Sequence, residues 1–314
     1  MLRKVAYTLS MRNSFIIKDD FANTRLDKWI RKVVFDAPQS FIEKNLRKGK
    51  IKVNNKKNKS SYKLKKDDLV TFFNLNFIKK NKQKQKKYIP TKKDLSFSSK
   101  IFIENNENFA VVNKPAGIAV QMGTKSRKNI LDILKSTNEF SNSTPFTVHR
   151  IDKETTGILI VAKNRRYAQL FTSLFRIRKI HKTYLCIVFG EVKELNGTFI
   201  DTLEYIEKNK KVLLKAITDY QLLDSNNNYS LLKLIPKTGR KHQLRRQLFL
   251  RGHPVIGDQK YKILGKNLGK KNPLMLHAYK ISFSINNIKY NFLADPPEKF
   301  KNYLEEKYLK IYQK

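Results

Sequence analysis

Three stretches of the chain combine polar side chains with glycine in a way that could do chemistry. The first is His149-Arg150-Ile151-Asp152-Lys153-Glu154-Thr155-Thr156-Gly157, which leads into the apolar run 158–161. A loop at a strand edge lets a side chain face a cleft instead of the core. Asp152 is therefore a candidate reactive carboxylate. Free aspartate titrates near ~3.9, so it is ionised at neutral pH and available as a nucleophile or general base. Most loop aspartates are turn or cap residues, and the loop alone leaves both readings open. The second stretch is Lys237-Thr238-Gly239-Arg240-Lys241-His242-Gln243-Leu244-Arg245-Arg246-Gln247, read as a turn entering a helix over 240–250. On such a helix 240 and 244, and 241 and 245, share faces. Its crowded cations repel one another unless acids or phosphates intervene, and a solvated basic face is the plainer alternative. The third, Asn113-Lys114-Pro115-Ala116-Gly117, reads as a tight turn closing a strand that contains Val111 and Val112.

Missing motifs narrow the field. There is no GxxxxGK(S/T) phosphate loop, no GxGxxG after a strand and no GxSxG elbow. The single cysteine and the scattered His149, His181, His242, His253 and His277 have no metal-ligand spacing. No metal and no cofactor is expected. Cys186 lies among Leu185, Ile187 and Val188, which reads as a buried inert thiol outside any oxidising compartment.

The elements that must position these stretches fall into two groups. In the first, Leu26, Trp29, Ile30 and Val33 share one helical face, and a second amphipathic helix spans 38–48, stopped by Gly49. A short strand over 50–53, a turn at Asn54-Asn55 and a strand over 69–73 complete a compact module. Residues 79–98 read as a basic linker, because the lysine-rich run 79–93 cannot build a core and repels itself into an extended chain. From 99 onward strands are expected at 109–112, 157–162, 183–189, 212–220, 229–235, 281–285 and 290–294. Helices are expected at 130–135, 165–177, 240–250 and 298–307. Consecutive strands that outnumber helices predict an α+β domain with a mixed, mainly antiparallel sheet and flanking helices.

Charge points to a partner. The 314 residues carry 66 Lys and Arg against 26 Asp and Glu, a net charge of +40. Compositional bias toward Lys, Asn and Ile would inflate lysine, but it does not explain the shortage of acids. A polyanion offsets such a charge, and nucleic acid is the first candidate. No apolar run approaches the roughly 18 residues that cross a bilayer, and the basic N-terminus lacks the apolar stretch of a signal peptide. A cytoplasmic, monomeric protein is expected, with residues 1–13 as an N-terminal extension.

The order of the motifs carries a resemblance. His149 to Gly157 resembles the HRLDxxTSG signature of the RluA/RluC/RluD family of pseudouridine synthases. Val112 to Gly117 resembles its KPAG turn, Lys182 to Gly190 its KxYxAxVxG strand, and Lys237 to Arg245 its (R/K)TGRxHQIR helix. Gly252 to Asp258 and Leu276 to Ala278 resemble its GHPIxGD and LHA elements. All six occur in the family's order over about 101–300. Ile151, Thr156 and Cys186 depart from it mildly. Residues 14–78 are similar to the S-four-type αL RNA-binding module through Arg25 to Trp29 and Leu46 to Asn54, with Asn55 where glycine is usual. This domain order looks most like the RluC branch, whose substrate is large-subunit (23S) ribosomal RNA.

The resemblance implies an isomerase of uridine in RNA that extrudes its target base. It implies Asp152 as the catalytic carboxylate, Arg245 as its salt-bridge partner and Tyr184 as the active-site tyrosine. Arg150 would fill the vacated stack. Lys114, Arg240 and His242 in the large domain (99–314) would contact RNA. So would Arg25, Lys44, Arg47, Lys48 and Lys50 in the small one. The reaction is redox-neutral. A non-catalytic RNA-binding protein on the same scaffold shares the charge arguments, and Asp152 and Tyr184 favour the enzyme. A DNA-binding protein would need a helix-turn-helix, zinc or zipper element, and none is present.

Overall fold

The structure is a computed structural model that describes residues 6–35, 37–78, 88–98, 100–122, 128–207, 210–263 and 272–311. The chain divides into two compact units between Lys86 and Lys87.

The small unit is a three-stranded antiparallel sheet covered by helices. Strand β1 (Ala6–Ile16) pairs with β3 (Leu69–Ile78), which pairs in turn with β2 (Ile51–Val53). The register runs from Ala6 opposite Ile78 to Ile16 opposite Leu69. Residues 6–13 are thus part of the sheet, not an extension outside the module, because ladder bonds to β3 satisfy their backbone. Helix α1 (Leu26–Trp29) widens into a π turn (Ile30–Val34), and Leu26, Trp29 and Ile30 are buried. The ring of Phe72 meets those of Phe15, Trp29 and Phe35 to form an aromatic centre. Helix α2 (Gln39–Arg47) buries Ile42 and Leu46, one turn apart on one face. Gly49, at φ 70°, ends it in the left-handed region. Asn54 and Asn55, at φ 49° and 60°, form a two-residue hairpin loop closed by Val53 and Lys56. Asparagine tolerates this conformation, so Asn55 does the work of glycine.

Residues 79–87 of the expected linker lie outside the described residues, but 92–98 are helix α3 (Lys92–Ser98). Asp94 is buried there and accepts hydrogen bonds from the amide and hydroxyl of Thr91 and from Tyr88, and pairs with Lys128. Burial and these partners convert part of a lysine-rich tract into an ordered edge of the large unit.

The large unit is built on one ten-stranded sheet. Its strands are β4 (Phe102–Asn105), β5 (Phe109–Lys114), β6 (Phe146–Thr147), β7 (Thr156–Ala162), β8 (His181–Phe189), β9 (Asn196–Glu207), β10 (Lys210–Ser225), β11 (Tyr229–Pro236), β12 (Leu276–Ile285) and β13 (Ile288–Leu293). The order is β4-β5-β7-β12-β8-β11-β10-β9, with β13 on β12 and β6 on β7. Every pairing is antiparallel except β7 with β12, where His277 faces Thr156 and Ala278 faces Gly157. This short parallel seam lies directly after the Asp152 loop. Gly157 has φ 103°, and a Cβ there would lie 2.3 Å from the Ala278 carbonyl oxygen. Glycine is required because β12 comes this close.

Helix α4 (Ile130–Leu134) packs into the apolar cluster beneath β5 and β7. Helix α5 (Arg165–Arg176) inserts Phe171 between Phe109 and Phe283. Helix α6 (Gln243–Leu250) places Leu244 and Leu248 on β8 and β11, and α7 (Glu298–Glu306) buries Phe300 and Leu304 beside β8 and β12. Among the described residues, no helix is long and apolar enough to cross a membrane.

Candidate active site

The Asp152 loop is fixed from both sides. Before it, the His149 ring stacks on Phe175 and its Nε2 accepts the Ile160 amide at 2.8 Å. Accepting that bond requires an unprotonated Nε2, and burial, then the charge of Lys182, pulls the imidazole pKa down to about 3. After it, Thr156 Oγ1 lies 2.8 Å from His277 Nδ1, and His277 Nε2 lies 2.8 Å from the Ala294 carbonyl. A carbonyl only accepts, so Nε2 donates and Nδ1 accepts from the threonine hydroxyl. This explains why Thr156 replaces serine at no cost to the network. Burial brings the His277 pKa down to about 4.

Lys114 holds the loop from below. Its side chain is fully buried, and its Nζ donates to the carbonyls of Pro115, Ile118 and Lys153 at 2.8, 3.0 and 3.0 Å. The Gly117 amide also bonds the Lys153 carbonyl. The turn that contains Lys114 is therefore a strap on the loop. This corrects the expectation that Lys114 contacts RNA: it has no solvent face and all three protons are in use. Burial draws its pKa down to about 7, opposed by Glu154 and Asp152. Three acceptors within 3.0 Å favour the ammonium form.

Asp152 meets its partners at the N-terminal end of α6. Arg245 Nη1 lies 3.2 Å from Asp152 Oδ2. The other edge of that guanidinium is bound at two points to Asp258, with Nε to Oδ2 at 2.6 Å and Nη2 to Oδ1 at 2.7 Å. Asp258 also accepts the amides of Lys260 and Tyr261. Burial would raise the Asp258 pKa, but Arg245 and these amides hold it below the ordinary carboxylate range. The two-point bond fixes the guanidinium plane and aims Nη1 at Asp152. Sequence reading missed Asp258 as the main partner. Its one available signal was that a buried arginine needs an acid and that 252–258 ends in one.

His242 does not sit in a helix. It has φ 53°, and α6 begins only at Gln243. Residues 240–242 therefore form a turn, and the shared helical faces expected for 240/244 and 241/245 do not exist. The left-handed residue turns the His242 ring inward, with Nδ1 3.1 Å from the Tyr261 hydroxyl and Nε2 3.7 Å from Asp152 Oδ1. Burial lowers its pKa against the opposing pull of Asp152, so the ring is neutral at pH 7 and beyond hydrogen-bond distance of the carboxylate. Tyr261 also lies under the Arg245 guanidinium, 5.3 Å from its ring centre. The turn itself rests on a buried network in which the Gln243 side-chain Oε1 accepts from Thr238 Oγ1 (2.7 Å) and the Arg240 amide (3.0 Å).

Asp152, Arg245, His242 and Tyr184 line one cleft of about 820 Å³. Among the described residues that line it, Asp152 is the only carboxylate, while Arg150, Arg176, Arg178, Lys182, Lys237, Arg240 and Lys241 contribute cations. Tyr184 is half-buried on β8, and burial together with the Asp152 charge pushes its hydroxyl pKa up, so the phenol keeps its proton. Arg150 is exposed at the mouth. Arg240 is half-buried, with Nε donating to the Lys215 carbonyl at 3.2 Å. Arg176 and Arg178 were not singled out from sequence, and Lys182 only as the first residue of the strand motif, although the basic run 176–182 was visible. Among the described residues, no three His, Cys, Asp or Glu side chains cluster as metal ligands would.

The small unit holds the other expected contacts. Lys44, Arg47, Lys48 and Lys50 are exposed around the end of α2, and Lys50 Nζ bonds the Asn74 carbonyl at 3.3 Å. Arg25 is bound at two points to Asp27, with Nε to Oδ1 at 3.1 Å and Nη2 to Oδ2 at 2.9 Å, and keeps part of its guanidinium in solvent.

Comparison with known proteins places this geometry. The family model described as RNA pseudouridylate synthase matches residues 108–249, which include the Asp152 loop, β8 and most of α6. The ribosomal large subunit pseudouridine synthase C of Buchnera aphidicola is 30% identical over 304 residues, covering 92% of this chain and 95% of that protein. The protein of that name from Rickettsia bellii is 34% identical over 281 residues, covering 83% and 90%. The solved structure of human RNA pseudouridylate synthase domain containing 4 is 26% identical, with a TM-score of 0.60, and covers 70% of this chain and 97% of its own. With the signature loop, its arginine partner and the sheet that holds them all present, the chain belongs to the RNA pseudouridine synthase family, the enzymes that isomerise uridine to pseudouridine in RNA.

Proposed function

We propose that this protein acts on uridines of large-subunit ribosomal RNA, with Asp152 as the catalytic carboxylate. The observation that carries this reading is the Asp152–Arg245–Asp258 chain, which presents one fixed carboxylate in a cleft whose other charged lining residues are cations. The substrate follows from relatives of that name aligned over most of this chain.

The reaction breaks the bond from ribose C1′ to uracil N1 and forms one from C1′ to C5. The C5 hydrogen leaves as a proton and N1 takes one up, so atoms and electrons balance without an oxidant. Asp152 is placed to add to the base, to attack the sugar or to take a ribose proton. Arg245 orients the carboxylate through its Nη1. Tyr184, a neutral phenol, supplies a ring for the extruded uracil and a hydroxyl to relay a proton. The target base must leave its stack, at a cost of a few kcal/mol, and Arg150 at the cleft mouth is placed to occupy the gap. The small unit is read as an S-four-type RNA-binding domain, with Arg25, Lys44, Arg47, Lys48 and Lys50 on phosphates. We place the protein in the cytoplasm as a monomer.

The test uses an unmodified large-subunit rRNA transcript carrying tritium at uridine C5, with transfer RNA in parallel. The reading predicts release of the label from the ribosomal transcript. Release from transfer RNA alone would overturn the substrate, and no release from either would overturn the activity.

A further inference from the structure

We propose that Lys182 holds a phosphate of the RNA strand beside the extruded uridine and so positions that nucleotide over Asp152. Lys182 stands on β8 two residues before Tyr184, and the two-residue period of a strand turns both side chains to the cleft. Its ammonium reaches the turn between β11 and α6, where a Cβ built on Gly239 would lie 3.9 Å from Nζ. Lys237 and Arg240 line the cleft on either side of that glycine.

The neighbouring buried cations already have work in the protein. Arg245 is shared between two carboxylates, and Lys114 is spent on three carbonyls. Lys182 is half-buried, and among the described residues nothing accepts from it and no carboxylate acts on its charge. Burial accordingly lowers its pKa, and its charge is felt at His149. A partly desolvated ammonium without a counter-ion is costly unless the substrate brings one. RNA brings a fixed negative charge with every nucleotide, and extruding a uridine carries its flanking phosphodiesters to the cleft. The uracil ring is neutral before reaction, so phosphate is the anion available for ground-state binding. A compact ammonium on a flexible stem suits a phosphate oxygen.

This inference rests on the synthase reading, and binding and turnover measured separately distinguish their failures. Binding of the unmodified rRNA transcript is followed over a salt series for the wild type, Lys182→Met, Lys182→Gln and Lys182→Arg. Lys289→Met, exposed on β13, is the control. Removing one phosphate contact weakens binding roughly tenfold and lowers the slope of log K against log salt by about 0.7–0.9. Both uncharged variants are expected to show this, Lys182→Arg to restore most of it, and Lys289→Met to match the wild type. In tritium release KM rises more than kcat falls. An unchanged salt slope in Lys182→Met and Lys182→Gln overturns the assignment, as does a loss confined to kcat, which would place the ammonium on the uracil. Failure of the wild type to release tritium would sink the synthase reading, while the salt slopes would still decide whether Lys182 binds phosphate.

Discussion

The small unit and the cleft of the large unit are both rich in cations and use them in opposite ways. Around the end of α2, Lys44, Arg47 and Lys48 stand in solvent. Their pull on a polyanion is additive, generic and screened by salt. In the large unit Arg245 is 8% exposed and Lys114 is 0% exposed, and each spends its donors on named oxygens of the protein. Charge count alone makes the two regions look alike. Burial and partnership separate a solvated basic surface from a frame that aims one carboxylate.

That contrast can be broken at four points, in decreasing order of effect. Asp258→Asn removes the buried acid that orients Arg245. It is expected to cost about 3–5 kcal/mol in urea unfolding and to reduce tritium release more than a hundredfold in the protein that remains folded. A variant as stable and active as the wild type would show that the frame is no frame. The next effect is of pH. His277 is neutral and buried with a pKa of about 4, against an ordinary value near 6.5. Its contribution is complete above pH ~6.5 and is lost as pH falls toward 4, about 3 kcal/mol in all. The melting temperature should fall over that window, and less steeply in His277→Gln, which cannot titrate. Equal slopes would contradict the assignment.

Lys114→Met strands three carbonyls and should cost about 1–3 kcal/mol of stability, with the salt slope of RNA binding unchanged. The smallest stability effect belongs to α2. Lys44→Gln, Arg47→Gln and Lys48→Gln together should stay within about 0.5 kcal/mol of wild-type stability per position and lower the salt slope by about 2–3. If Lys114→Met lowers the slope, or the α2 variants unfold the protein, the two regions are not different in kind.

Sequence made the reacting loop legible, and the reasons are physical. The run 149–157 needs its own residue types: an imidazole to accept the Ile160 amide, a hydroxyl to meet His277, and a glycine where β12 approaches. Local requirements of this kind leave local marks. Most strand positions were legible because alternation and apolar runs report burial. β9 was not, because Ile200 and Ile206 face solvent while Asp201 faces inward to Gln247, which inverts the usual pattern. The depth of Lys114 was not legible either, since a lysine beside a proline turn looks the same exposed or buried. Asp258 is 106 residues from Asp152, and no spacing rule links them. The turn at 240–242 was hidden by a single left-handed residue, His242, in an otherwise helix-compatible run. The ladder of β1 was hidden because residues 1–13 read as an N-terminal extension and its partner strand β3 is distant in the chain.

The central claim is that Asp152, held by Arg245, does the chemistry. The most direct measurement is tritium release from C5-labelled large-subunit rRNA transcript by the wild type and by Asp152→Ala, with folding and RNA affinity measured on both. The account predicts release by the wild type. For Asp152→Ala it predicts a drop of more than about a thousandfold, with RNA affinity kept within a few fold. Turnover by a folded Asp152→Ala variant at a rate near that of the wild type would contradict it.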